Sequence, residues 1–347
     1  DWKHNDYDIV YSHLPEHTGQ LKNLLFNTTD ICPTIIGYTH WTEFKEITNY
    51  EYEVGLAFNI IGLLQMDKCG INTQAQKELV LKNAKEHFND DVIKQLDEIL
   101  EPHYLGWETP EYEQQTTDKN IIVYNHRPHT YKNYPWFLEQ MDKLYEQRQD
   151  FEVWVPLADK KEKDYMTIDK YDRFGYFSKL SSCKVGVCCK QKYEGWAVSA
   201  TDGMSVGVPY MFSDDGSYHE LADEAGIYYK GSDDFLKLMN KALDDKEFRN
   251  EYSEKSLQRF KDSKWEKQIQ RINDTFNSAI SNLRPIKETE SYNKIVEFIR
   301  TKKSVTKNEI LLHMGWGVRI GFTTYRNRLR NEKDIKFTKN RYEVINK

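Results

Sequence analysis

Four charged side chains stand at spacings that chemistry can use. Glu194 and Asp202 lie eight residues apart in YEGWAVSATDGMSVGVP, residues 193–209. Eight residues make about two turns of helix, so a helix opening just after Gly195 would carry both carboxylates on one face. Its first backbone N–H groups would point at an anion, and a glycine at 195 removes the Cβ that would block close approach. Such a face can accept hydrogen bonds from sugar hydroxyls at one end and ribose hydroxyls at the other. Arg127 and Lys132 lie five residues apart in NHRPHTYKNYPWF, residues 125–137, between an apolar run and a helix opened by Pro135. Two fixed cations and a helix N-terminus would stabilise the charge of a departing diphosphate, so the pattern asks for no metal ion.

Other reactive residue types fall into ordinary roles. The five cysteines, Cys32, Cys69, Cys183, Cys188 and Cys189, show neither CxxC nor Cys/His ligand spacing and read as reduced core thiols of a cytoplasmic protein. SDDGS, residues 213–217, follows the apolar run VPYMF, so it reads as a strand-to-helix turn rather than a metal loop. His13 and His40 each end an apolar run, a place where histidine is often only hydrogen-bonded structure.

The elements that must position these groups follow from apolar periodicity. DIVYSHL (8–14), PTIIGYTH (33–40) and NIIGLLQ (59–65) are near-continuous apolar runs, the pattern of parallel strands covered on both faces. QAQKELVLKNAKEHF (74–88) and DDVIKQLDEIL (90–100) are helical in pattern. After a polar linker over 107–118 the alternation restarts, with predicted strands at 120–127, 151–157, 184–189, 208–212 and 226–231. Helices are predicted from about Pro135 to Gln147, from about Ala197, and in three stretches up to about Ala279. Strand-then-helix repetition argues for α/β layers, and two such domains joined by a linker make a cleft suited to a ligand.

The end of the chain is built differently. The net charge is -6 over 347 residues, yet residues 291–347 hold 14 Lys+Arg against 5 Asp+Glu. An acidic body with a basic appendage points to a polyanionic partner. YNKIVEFIRTK (292–302) reads as one helix, and Thr306 with Glu309 as the capping box of a second. A third is predicted over 323–331, with Tyr325 and Leu329 in one stripe extended by Phe322. DIKFTKNRYEVI (334–345) alternates like a hairpin. Three helices and a two-stranded wing are the layout of a winged helix. Arg326 and Arg330 share a stripe beside the apolar one, and with Arg319, Lys336, Lys339 and Arg341 they form the predicted DNA-contacting set.

The 193–209 string resembles glycosyltransferase family 4, in which Glu-Gly-aromatic is followed by a second acid and a small-Met-x-x-Gly-Val-Pro stretch. Asp202 departs from the glutamate usual there. The resemblance implies an α/β protein of the GT-B class: two Rossmann-like domains with a cleft between them, here with a small C-terminal winged-helix-like domain. The expected boundaries are 1–115, 116–282 and 286–347. It further implies a retaining transferase that takes a UDP-sugar as co-substrate and no other cofactor. Glu194 would face the donor sugar, Asp202 the ribose, and Arg127, Lys132 and Gly195 the diphosphate. His40 would face the donor sugar as a second catalytic residue.

A Gly-rich loop, usual at the start of a GT-B first domain, is absent before DIVYSHL. The basic module favours a hydroxyl on hydroxymethylated pyrimidines of duplex DNA, as in phage enzymes acting in the host cytoplasm. A polysaccharide or glycolipid transferase and a non-catalytic sugar-nucleotide sensor that binds DNA are the alternatives. No run of about 18 apolar residues occurs, and no membrane partner is expected.

Overall fold

Apolar runs alternating with helical stretches build two α/β sheets. The computed structural model describes residues 9–28, 33–39, 59–191, 195–281, 288–314, 329, 332, 334–338 and 341–345. His40, Glu194, Arg319, Arg326, Arg330 and Lys339 lie outside these residues, as do Cys32, Phe322 and Tyr325. Described residues up to Tyr38, from 59 to Cys69 and from Asp274 onward belong to one compact unit, and those from Gly70 to Asn273 to another.

The first sheet has the order β1-β2-β3-β4, with β1 Ile9–Ser12, β2 Thr34–Thr39, β3 Lys68–Ile71 and β4 Leu100–Pro102. β1 and β2 are parallel. Helix α1 (Pro15–Thr28) follows β1. β1 ends the order and leaves Tyr11 exposed, whereas Thr34, Ile35 and Ile36 in β2 are buried. The expected strand at 59–65 is instead helical over 59–63, and the strand comes later, at β3. Ile60 and Leu63 are buried while Ile61 is exposed, a three-residue spacing that a helix face uses and a strand cannot. Gly62 packs directly on the Pro15 backbone, leaving no room for a Cβ.

Helix α2 (Gln74–Ala84) opens on Thr73, whose hydroxyl accepts from the Gln76 amide at 3.0 Å. It ends four residues before the predicted 88. Asn89 caps α3 (Asp90–Ile99), accepting from the Val92 amide at 3.1 Å. Its Ile93, Leu96 and Ile99 line one buried face.

The second sheet is parallel throughout, in the order β10-β9-β8-β5-β6-β7. The strands are β5 Asn120–Val123, β6 Phe151–Trp154, β7 Met166–Thr167, β8 Val185–Cys188, β9 Tyr210–Ser213 and β10 Gly226–Tyr229. All but β7 match the predicted runs; β7 is two residues long, too short to show periodicity. Alternation along β5 explains the layering. Ile122 joins Phe137, Met141 and Leu144 of α4 (Tyr134–Gln147) and Phe235 and Met239 of α8 (Gly231–Asp244). Ile121 and Val123 join Phe177 and Leu180 of α5 (Arg173–Ser181), Ala200 and Met204 of α6 (Val198–Ser205) and Leu221 of α7 (Gly216–Ala222). Both faces are therefore dry, as continuous apolar strands require. Helices α9 (Lys246–Asp262) and α10 (Trp265–Ser281) complete the three stretches expected before 282.

Beyond them come α11 (Glu288–Lys302), β11 (Ser304–Thr306), α12 (Lys307–His313), β12 (Ile335–Thr338) and β13 (Arg341–Val344). The capping box at Thr306 and Glu309 forms as expected. The sheet is antiparallel and has three strands rather than the two of a bare hairpin, because β11 pairs with β13. The lysine-rich stretch before Thr306 hides that strand from an apolar count. Ile295, Ile299, Val305, Ile310, Leu329, Ile335 and Tyr342 form a separate core here.

Candidate functional site

The order of the second sheet fixes where a ligand fits. From β5 the chain proceeds to β6 on one side, and from β8 to β9 on the other, so the order reverses between β5 and β8. Their following helices, α4 and α6, pack on opposite faces. At such a switch point the connections diverge at the C-terminal ends of the strands and leave a crevice. The loop after β5 carries Arg127 and Lys132, and the loop after β8 carries Gly195. Sequence expectation thus puts its donor residues on the two connections that border this crevice.

The β5 connection is held from beneath. Tyr124 is fully buried, stacks on Phe137 with ring centroids 4.5 Å apart, and donates its hydroxyl to the Lys132 carbonyl at 2.9 Å. Thr130–Lys132 form a 3-10 turn, and Asn133, with φ 56°, turns the chain into α4. Asparagine is among the few residues that tolerate that left-handed conformation. Arg127 is exposed and Lys132 half-buried, with its ammonium 5.3 Å from the Tyr131 ring centre.

Two buried side chains between them, to which the sequence reading gave no role, bind this connection to α6. Asn125 donates to the Ser199 carbonyl at 2.8 Å and to the Tyr176 hydroxyl at 2.8 Å, and accepts from the Tyr210 hydroxyl at 3.0 Å. His126 lies 2.8 Å from the Ser199 hydroxyl through Nδ1 and 3.0 Å from the Cys188 thiol through Nε2. Burial, with the Lys132 charge adding to it, pushes the His126 imidazole down to about 3. It is a neutral strut at physiological pH. The signal in the sequence was Asn-His directly after an apolar strand, but polar residues there have many uses and only the fold supplies Ser199 and Tyr176 as partners.

On the β8 connection, α6 begins at Val198, three residues later than expected, and Ala197 caps it without a side-chain bond. Glu194 therefore precedes the helix, and the one-face argument for the two acids does not hold. The Val198 amide closes a tight turn to the Trp196 carbonyl at 3.1 Å, using backbone that a longer helix would need. Gly195 packs so closely that a Cβ would sit 2.5 Å from Asn72 Nδ2 and 2.6 Å from Gln76 Oε1. Close approach was the expected reason for this glycine; the neighbours are side chains at and after β3. Gly207, with φ +81°, ends the helix run, and the Val208 amide returns to the Gly203 carbonyl at 2.9 Å.

Asp202 accepts from the Tyr176 hydroxyl at 3.1 Å. Burial pushes its carboxyl up to about 7, against the opposing pull of the Tyr176 bond and the Arg173 charge. Glu220 on α7 has a different role: it accepts from the Gln74 and Ala75 amides at 2.7 and 2.6 Å and from the Tyr104 hydroxyl at 2.9 Å. That carboxylate satisfies the open N-terminus of α2. Among the described residues no group of three His, Cys, Asp or Glu side chains is placed to hold a metal, and no helix is long and apolar enough to cross a membrane.

No protein-family model matches the chain, and no curated protein matches it. Solved structures do. TarM, also known as a Staphylococcus aureus complex with UDP, is 13% identical with a TM-score of 0.59 over 78% of this chain and 54% of its own. This chain thus spans about half the length of TarM. Sucrose-phosphate synthase of Thermosynechococcus elongatus is 13% identical, with a TM-score of 0.59 over 79% of this chain and 74% of its own. Anabaena HepE, bound to UDP and glucose, is 11% identical, with a TM-score of 0.60 over 78% of both chains. These neighbours are GT-B glycosyltransferases, and the fold of this chain is GT-B, with two Rossmann-like domains and an added C-terminal antiparallel sheet.

Proposed function

We propose that the chain is a retaining glycosyltransferase that moves a sugar from a UDP-sugar to a hydroxyl without a metal ion. The observation that carries this reading is the Asn125–His126 clamp. It fixes the connection bearing Arg127 and Lys132 against the first turn of α6, so two cations and a helix N-terminus border one crevice. A diphosphate leaving group needs that arrangement held rigid before it departs. Arg127, Lys132 and the backbone at Gly195 take the diphosphate, Asp202 the ribose, and Glu194 and His40 the donor sugar. UDP in the HepE and TarM complexes supports the choice of nucleotide.

The acceptor reading rests on the C-terminal module. Helix, strand, helix and a returning hairpin whose strand β13 pairs with β11 support a winged-helix-like unit over 286–347. Lys336 is exposed on β12, free to meet phosphate together with Arg319, Arg326, Arg330 and Lys339. Arg341 has a structural partner as well: its guanidinium donates to the Ser304 hydroxyl at 2.9 Å and carbonyl at 3.1 Å. We assign the module to duplex DNA and the acceptor hydroxyl to hydroxymethylated pyrimidines. Phage origin and a cytoplasmic setting belong to the same reading.

Mass spectrometry of hydroxymethylated duplex DNA after incubation with a panel of sugar nucleotides tests it. The expected result is a hexose or pentose mass increment with a UDP-sugar. An increment on an oligosaccharide or lipid acceptor alone would move the proposal to a polysaccharide or glycolipid transferase. Tight UDP binding with no transfer to any acceptor would leave the sensor reading in its place.

A further inference from the structure

A second cavity lies over the other half of the six-stranded sheet. It has a volume of about 380 Å³, within the range that small molecules occupy, and is enclosed by the connections after β8, β9 and β10 and the start of α4. It shares no residue with the clamp, the two cations or Asp202. Trp136 and Tyr229 supply its apolar wall, stacked nearly parallel at 5° with ring centroids 5.6 Å apart. Phe235 meets the indole edge-on at 5.2 Å and holds it in place.

The polar wall carries two cations and two anions, and they are paired. Asp214 accepts from Lys230 at 2.9 Å and pairs with His219 at 2.6 Å. Lys190 stands 3.6 Å from Asp215, which also accepts from the Ser213 hydroxyl at 2.6 Å. A phosphate entering here would meet both carboxylates as well as both ammonium groups, so the wall has no net attraction for an anion. A polyol matches it better. Hydroxyls donate to carboxylates and accept from ammonium groups without needing charge, while the C–H face of a pyranose lies on an aromatic ring whose face is electron-rich.

We propose that this cavity is a carbohydrate-binding subsite that takes a neutral monosaccharide unit, separate from the nucleotide crevice. The test is calorimetry and ligand-observed NMR on the full chain saturated with UDP. The probes are maltotriose, methyl α-D-mannopyranoside, methyl β-D-galactopyranoside and inorganic phosphate. At least one sugar should bind and phosphate should neither bind nor compete. Asp214→Asn, at an exposed position, should weaken that sugar at least about fivefold and leave UDP affinity unchanged. Because it leaves Lys230 without its partner, the same variant should gain phosphate binding. Trp136→Phe should weaken the sugar while keeping the core packed, and circular dichroism checks that it does. Three outcomes each overturn the proposal: no sugar in the panel binds; sugar binding is unmoved by both variants; or phosphate displaces the sugar from the unsubstituted protein.

Discussion

Asp202 is the residue whose environment makes the sharpest claim. With its carboxyl pushed up to about 7 by burial, native Asp202 keeps a proton between the ordinary carboxylate range and neutral pH that the unfolded chain has lost. Its contribution to folding stability therefore falls as pH rises through that window and is flat above it. Ribose recognition by the anion runs the other way. UDP affinity should rise by up to about tenfold from about pH 6 to about pH 8. The phosphate of UDP titrates near about 6 as well, so Asp202→Asn supplies the baseline. Calorimetry showing the same pH slope in both proteins would take Asp202 out of the nucleotide site. For Glu194→Gln the expectation is a folded protein with turnover cut at least about 100-fold, the usual scale for a positioned charged group. A near-normal rate would remove Glu194 from the chemistry.

At the scale of elements, the crevice depends on where α6 starts and stops. Its end is set by Gly207, whose φ of +81° suits glycine and strains any residue with a Cβ, which would also approach the Ser253 hydroxyl to 2.9 Å. Gly207→Ala should lower stability by about 1–2 kcal/mol, read from the denaturation midpoint at constant slope. Its start is held by Asn125 and His126. Asn125→Leu removes three hydrogen bonds from buried partners and should lower both stability and kcat/KM, because the β5 connection loses its tie to α6. If kcat/KM held steady while the midpoint fell, the clamp would be a structural brace only. The place of this clamp was not legible beforehand: Asn125 and Ser199 are 74 residues apart, and no local pattern pairs them.

For the whole molecule, the acidic body and basic end predict separable tasks. Ending the chain before Lys287 should leave donor binding intact, because β5 to β10 and α4 to α8 all lie upstream. Duplex affinity should fall sharply, and what remains should depend less on salt, since fewer phosphates are neutralised. A shortened protein that modifies duplex DNA as fast as the full chain at physiological salt would make the module a protein-contact element instead. Activity of the full chain should persist in excess EDTA. Complete loss restored by Mg²⁺ or Mn²⁺ would contradict the roles given to Arg127 and Lys132.

Sequence alone determined what periodicity and composition encode. Continuous apolar runs gave β2, β5, β6, β8, β9 and β10 because both faces of a parallel strand must be dry. Glycine, proline and Thr-x-x-Glu marked the ends of α6, α4 and α12, since those residues act through their own backbone geometry. Where a run is short, local pattern misleads: NIIGLLQ is as apolar as a strand but folds as a helix, because its Ile60 and Leu63 find their core at a three-residue spacing. Tertiary structure decided the rest. Only the reversal of strand order between β5 and β8 makes a crevice, and only the folded sheet brings Asn125, His126, Tyr176, Ser199 and Asp202 together. Those contacts arise from non-local packing, and burial among them, not the residue type, pushes Asp202 up and His126 down.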